Sequence, residues 1–259
     1  MDKKGFNLIG IGLILYCINV SLPFFGVSSQ DLSLTFLPVS AIVSYLLIGL
    51  GILNVNKYRN KYKTASVLFI IAACLIGVVS MFIPLLTKNS LDGIFDLYSN
   101  MMAYESYELS DIYMLHLFIN LMRGLNTYLV LILLIEILAC VGIFIFLSGM
   151  SYEKINLDHK KRLKKHGKCS TIFNIVALSG SILLIHFYVN IFSVALYDPY
   201  NDVRIILNSF ACFAIMPVLI VFAILTLVNK IKFIIDVFKT YSNRIIEVED
   251  NSPLYEEQI

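Results

Sequence analysis

Long apolar runs dominate the sequence, and the run at residues 125–147 constrains the fold most. Its letters, LNTYLVLILLIEILACVGIFIFL, include one charged side chain, Glu136. At about 1.5 Å of rise per residue, a helix of this length crosses the ~30 Å hydrocarbon core of a bilayer. The run therefore predicts a membrane-spanning helix that carries a carboxylate.

The whole chain has the composition of a membrane protein. It is 58% hydrophobic and 15% charged, whereas soluble domains are about 45–50% apolar and about 25% charged. The apolar residues come in blocks of about 20, which favours helices over the shorter alternating strands of a barrel. We expect an all-α polytopic fold with six spans, at about residues 6–26, 36–53, 65–86, 125–147, 171–196 and 205–228.

The basic residues predict the topology. Of the 20 Lys and Arg residues, 17 flank the ends that we assign to the cytoplasm, including Lys230 after the sixth span, and only Lys88, Arg123 and Arg204 remain outside. By the positive-inside rule both termini are cytoplasmic. Residues 1–228 then form the transmembrane domain, and residues 229–259 form a cytoplasmic amphipathic helix and an acidic tail. We interpret the apolar start as a retained helix, because no A-x-A-like cleavage site follows it.

An acidic and aromatic segment separates the third and fourth spans. Ile94, Leu97, Tyr98 and Met101 recur at i, i+3, i+4 and i+7, which predicts an extracellular amphipathic helix on the membrane surface. Two roles stay open for it: contact with an extracellular partner protein, or a lid that lies on lipid.

Glu136 is the leading candidate for a functional residue. A carboxylate at a helix centre costs about 2.5–3.5 kcal/mol on insertion scales, so it usually faces the bundle interior and is paired or protonated. Counting residues from the predicted outer boundary puts His186 at a similar depth, with Asn190 one turn outward of it and Arg123 outward of Glu136. These residues predict a proton or cation site. The alternative is a buried structural pair, or a protonated Glu136 that is hydrogen-bonded to a neighbouring helix.

Two further features have candidate roles. Pro217 lies near the middle of the sixth span, where a proline predicts a kink that could act as a hinge. The most basic segment, between the fourth and fifth spans, is expected to contact anionic lipid or a cytoplasmic partner rather than nucleic acid. Its candidate contact residues are Lys160, Lys161, Arg162, Lys164 and Lys165.

No catalytic or nucleotide-binding motif occurs: the patterns GxxxxGK[ST], GxSxG, DxDxDG and HExxH are absent. We therefore expect neither an enzyme nor a bound cofactor or metal. The predicted function is a small permease or the membrane subunit of a transporter, in a bacterial plasma membrane, with a cytoplasmic ATPase or another membrane subunit as candidate partner. The alternative is a non-transporting accessory, sensor or immunity protein that binds another protein.

Overall fold

The computed structural model describes residues 2–21, 32–56, 58–79, 107–153, 155–197 and 202–249. These residues form α-helices and one short 3₁₀ helix, with no strand among them, which confirms the all-α prediction. In chain order the elements are α1 (Lys3–Ser21), α2 (Leu32–Val55), α3 (Asn60–Val79), α4 (Tyr107–Gly149), the 3₁₀ helix (Met150–Tyr152), α5 (Leu157–Tyr197) and α6 (Asp202–Glu249).

Four of these helices, α3 to α6, are long and apolar enough to cross a membrane. Large apolar side chains point away from the protein along them, and Phe213 is 83% exposed. Such a surface is stable only in apolar surroundings. The structure is therefore that of a membrane-embedded helical protein.

The long helices extend well past the predicted spans. α4 has 43 residues, about 65 Å of rise, and contains the predicted span 125–147. The apolar pattern marks only the part suited to hydrocarbon, whereas backbone hydrogen bonding continues beyond it. The basic segment, predicted as a connection, is mostly helical: α5 begins at Leu157, after Asn156, whose Oδ1 accepts the Asp158 N–H at 2.9 Å.

Several predicted features lie outside the described residues. These are the amphipathic segment between the third and fourth spans, up to residue 106, and the acidic tail from residue 250 onward.

The chain divides into two compact units. Unit 1 comprises Met1–Gly77, Ile135–Asn174 and Ile224–Ile259, and unit 2 comprises Val78–Leu134 and Ile175–Ala223. The largest side chains that are almost fully buried in unit 1 are aromatic: Phe6, Tyr45, Tyr62, Phe69, Phe146 and Phe233.

Glycines let α1 and α2 approach closely within unit 1. A Cβ atom added at Gly51 would lie 2.8 Å from the carbonyl oxygen of Gly5, and one added at Gly5 would lie 2.7 Å from the backbone nitrogen of Val55. Real Cβ atoms do not approach backbone that closely. Backbone contact at these two positions therefore fixes α1 against the last turns of α2.

Glu153 anchors the connection between α4 and α5. Its Oε1 accepts hydrogen bonds from Asn56 and Tyr62, both at 3.3 Å, and lies 3.6 Å from Nη1 of Arg59. Lys160 donates to the carbonyl oxygens of Ser151 and Glu153. This lysine therefore satisfies backbone acceptors that follow the end of α4.

Candidate polar site around Glu136

Glu136 lies in unit 1 and accepts hydrogen bonds through both of its carboxylate oxygens. The hydroxyls of Tyr16 and Tyr45 both donate to Oε1, the second at 2.7 Å, and Nδ2 of Asn174 donates to Oε2 at 3.0 Å. Hydrogen bonds to a charged acceptor contribute about 1.5–3 kcal/mol each. Three of them can offset the cost of keeping a carboxylate among apolar helices.

Asn174 links this carboxylate to a lysine. Its Oδ1 accepts from Nζ of Lys230 at 3.3 Å, while its Nδ2 is also 3.0 Å from the hydroxyl of Tyr16. The Lys230 ammonium lies 4.1 Å from the centre of the Tyr16 ring, within cation–π range. The described contacts thus connect a positive and a negative group through one neutral amide.

Aromatic packing holds the two tyrosines in position. Their ring centroids are 5.6 Å apart, and the Tyr45 ring lies 5.9 Å from that of Phe69. Tyr45 is 2% exposed and Lys230 only 6%. A buried tyrosine hydroxyl needs a polar partner, and Glu136 supplies one to both rings.

Five helices build the site, with Tyr16 on α1, Tyr45 on α2, Glu136 on α4, Asn174 on α5 and Lys230 on α6. A cavity of about 30 Å³ adjoins all five side chains. Since a water molecule needs about 10–15 Å³ on this measure, the cavity has room for about two waters and none for an organic substrate. In this conformation the site can hold a proton, a water or a small ion.

The other predicted site residues belong to unit 2. His186 is exposed, and its ring lies 6.2 Å from that of Phe187. Arg123 is exposed, and its carbonyl oxygen accepts from Thr127 Oγ1 at 3.0 Å. Asn190 lines a separate cavity of that unit. The described hydrogen bonds of Glu136 are all within unit 1, and its pairing with His186 stays a prediction.

Pro217 and the basic residues can also be located. α6 continues as α-helix on both sides of Pro217, which has no N–H to donate to the carbonyl four residues earlier. Lys161, Arg162 and Lys165 are exposed on α5 and Lys164 is half-buried, whereas Lys160 is engaged by backbone carbonyls. Three members of the predicted contact surface are therefore accessible on the first turns of α5.

Sequence reasoning missed four members of the site. Tyr16 and Tyr45 carried a usable signal, because a phenol inside an apolar run needs a hydrogen-bond partner. Asn174 carried a weaker one, as an amide within the fifth span. Lys230 gave a misleading signal: a lysine at a span end usually extends its ammonium toward water, but here it is buried beside Asn174.

Two further polar contacts within unit 1 join the first turns of α5 to the C-terminal part of α6. Nδ1 of His166 lies 2.7 Å from Oδ2 of Asp236, and Nε2 of His159 lies 3.0 Å from Oγ1 of Thr240. Thr240 donates to the Asp236 carbonyl oxygen at 2.8 Å. These contacts hold the first turns of α5 against α6.

Among the described residues, no group of three His, Cys, Asp or Glu side chains could hold a metal.

Comparison of the chain with family models, with curated proteins and with solved structures finds no match. The function is therefore inferred from the chemistry of the site itself.

Proposed function

We propose that this protein is a small multi-pass permease, or the membrane subunit of a transporter, in which Glu136 carries a proton as part of the transport cycle. In this proposal six helices span a bacterial plasma membrane and both termini are cytoplasmic. The supporting observation is the hydrogen-bonded series from Glu136 through Asn174 to Lys230, enclosed by apolar helices.

The depth of Glu136 suits a proton site. Along α4 it lies 11 residues, about 16 Å of helix rise, from the predicted inner boundary at Leu147, whereas its partner Asn174 lies three residues into the predicted fifth span and Lys230 lies just beyond the sixth. The cluster therefore belongs to the cytoplasmic half of the predicted spans. An ionisable residue inside a membrane helix commonly marks an ion or proton pathway. A group at this depth can exchange protons with either side when the surrounding helices move.

The charges of the cluster suggest how a proton could be coupled to movement. With Glu136 ionised and Lys230 charged, the cluster is neutral as a whole. Protonation of Glu136 leaves the buried ammonium of Lys230 uncompensated, which is costly in an apolar environment. That imbalance favours a second conformation in which Lys230 has moved or has met an anionic substrate.

The small cavity implies that transport requires a conformational change. Its volume of about 30 Å³ excludes an organic substrate, so a transport cycle would need a second conformation with a larger cavity. Pro217 is the proposed hinge, because the missing hydrogen bond lets α6 bend there at low cost.

A static role is the second candidate, and one observation favours it. The cluster takes one side chain from each of five helices, as a polar lock that fixes helix register would. Such a lock suits a non-transporting accessory, sensor or immunity protein. The accessible Lys161, Arg162 and Lys165 on α5 would then bind a partner or anionic lipid.

Two experiments separate these functions. Purification in mild detergent tests for partners: a cytoplasmic ATPase at fixed stoichiometry supports a transporter subunit, and a partner without transport components supports the accessory role. Proteoliposomes filled with a small-metabolite extract test for transport directly. Mass spectrometry should find a solute whose retention depends on an imposed pH gradient. If every solute is retained as well as in protein-free liposomes filled with the same extract, the permease proposal is contradicted.

A further inference from the structure

Unit 2 contains a cavity that the Glu136 site does not use. Its volume is about 440 Å³, within the ~300–1,000 Å³ range of small-molecule sites. The last turns of α5 contribute Asn190 and Ser193 to its lining, and the first turns of α6 contribute Arg204 and Asn208. It is large enough for a polar headgroup, unlike the cavity beside Glu136.

The polar lining suits an anion. Arg204 is the only charged residue among the described lining residues, and no carboxylate lies among them. The two asparagines add amide donors. Oγ of Ser193 is buried and has no hydrogen-bond partner among the described residues, so a ligand could satisfy it. Arginine binds phosphate with two parallel hydrogen bonds, which gives both geometry and affinity.

The rest of the lining suits an amphiphile. Val194 and Leu207 supply apolar surface, and Leu207 and Tyr197 are each 63% exposed, so the cavity opens to its surroundings. Further along the same side of α6, Phe210 and Val218 are 71% and 52% exposed. An acyl chain could lie along this apolar face while its headgroup occupies the polar cavity.

We infer that this cavity binds a phosphate group through Arg204, Asn208 and Ser193, with the phosphate carried by a phospholipid headgroup or free in solution. The site is independent of the Glu136 cluster and of transport. The exposed apolar side chains of Leu207, Phe210 and Val218 favour the lipid as the source. With the predicted topology, the lipid belongs to the outer leaflet.

Native mass spectrometry of the purified full chain tests this site, with phosphatidylglycerol added in one series and zwitterionic phosphatidylcholine in another. The wild type should retain phosphatidylglycerol, and Arg204→Gln should bind it at least about ten-fold more weakly, which corresponds to about 1.4 kcal/mol. Asn208→Asp is the second variant, because it keeps Arg204 and adds a repelling carboxylate. Lys232→Gln is the matched control: it removes one positive charge from an exposed position on α6 that does not line the cavity.

Inorganic phosphate identifies the source of the ligand. If phosphate alone protects the protein against thermal unfolding and displaces the lipid, the site recognises the free anion; if only the lipid binds, it recognises the headgroup. Either result supports the site when both cavity variants lose binding and Lys232→Gln retains it. Equal binding by the wild type and both cavity variants, or an equal loss in Lys232→Gln, overturns the proposal.

Discussion

Asn174 stands between Glu136 and Lys230, donating from Nδ2 to the carboxylate at 3.0 Å and accepting at Oδ1 from the ammonium at 3.3 Å. One neutral side chain thus bridges two opposite charges within unit 1. Because the bridging side chain is neutral, replacing Asn174 tests the bridge without removing either charge.

Replacing Asn174 with leucine should destabilise the protein more than any other asparagine replacement within a helix. The variant leaves an oxygen of Glu136 and the ammonium of Lys230 without the amide, and we expect a loss of about 3 kcal/mol in the free energy of unfolding. A thiol-reactive dye can follow unfolding, because Cys140 and Cys212 are buried. Asn229→Leu is the control, since the Asn229 amide donates only to Leu225 O of its own helix among the described contacts. Equal melting shifts in the two variants would contradict the bridge.

The two tyrosines should behave as a coupled pair. Tyr16→Phe and Tyr45→Phe each remove one hydroxyl donor from the same oxygen of Glu136. We expect each to lower the free energy of unfolding by about 1–2 kcal/mol. The double variant should depart from the sum of the two by at least about 0.5 kcal/mol, as neighbouring residues in one network do. Strict additivity in a double-mutant cycle would show that they do not share an acceptor.

The glycines of α1 and α2 give a prediction with an internal control. Gly51→Ala should lower the melting temperature, because its Cβ would lie 2.8 Å from the Gly5 carbonyl oxygen and force the helices apart. The nearest atom to a Cβ at Gly77 is Ile42 Cδ1 at 3.5 Å, an ordinary contact. Gly77→Ala should therefore be neutral or stabilising by up to about 1 kcal/mol, since alanine favours helix. Equal melting temperatures for the two variants would refute the close contact.

Replacing one member of the pair His166 and Asp236 should destabilise the protein more than replacing both members with apolar residues. Asp236→Asn leaves the histidine facing an amide in a half-buried site, and we expect a loss of about 1–3 kcal/mol. The double variant His166→Leu with Asp236→Leu should recover part of that loss, because no polar group then stays unsatisfied. Thermal unfolding of the wild type, Asp236→Asn and the double variant measures the difference. A double variant that is less stable than Asp236→Asn would argue against this account.

The apolar stretches of the helices could be predicted from the sequence because a bilayer requires about 20 apolar residues per span. The full helix lengths could not, since α4 continues for 43 residues. Glu136 could be identified as a candidate functional residue because a single carboxylate in an apolar run is costly. The partners of Glu136 could not. Helices that are apolar on nearly all sides do not reveal which faces meet, and the hydrogen bonds to Tyr16, Tyr45 and Asn174 depend on packing within unit 1. The pairing with His186, which is inferred from depth, stays a prediction.

Lys230 illustrates the limit most clearly. Its position after the sixth span made it an ordinary boundary lysine in the topology argument. Its burial depends on how α6 packs against α1 and α5 in unit 1, where Tyr16 and Asn174 receive its ammonium. Nothing in the sequence near Lys230 encodes those two distant partners. Only the folded arrangement turns a topology marker into a candidate functional group.

The most direct test of the proposed function is pH-gradient-driven solute uptake into proteoliposomes by the wild type, Glu136→Gln and Glu136→Asp, with Asp158→Asn as the control. Asp158 is exposed at the start of α5, so its neutralisation should leave uptake unchanged. Glu136→Gln should abolish gradient-driven uptake while the protein stays folded in the thiol assay, and Glu136→Asp should retain part of it, because a carboxylate remains. Uptake by folded Glu136→Gln at the wild-type rate would show that Glu136 does not carry the proton.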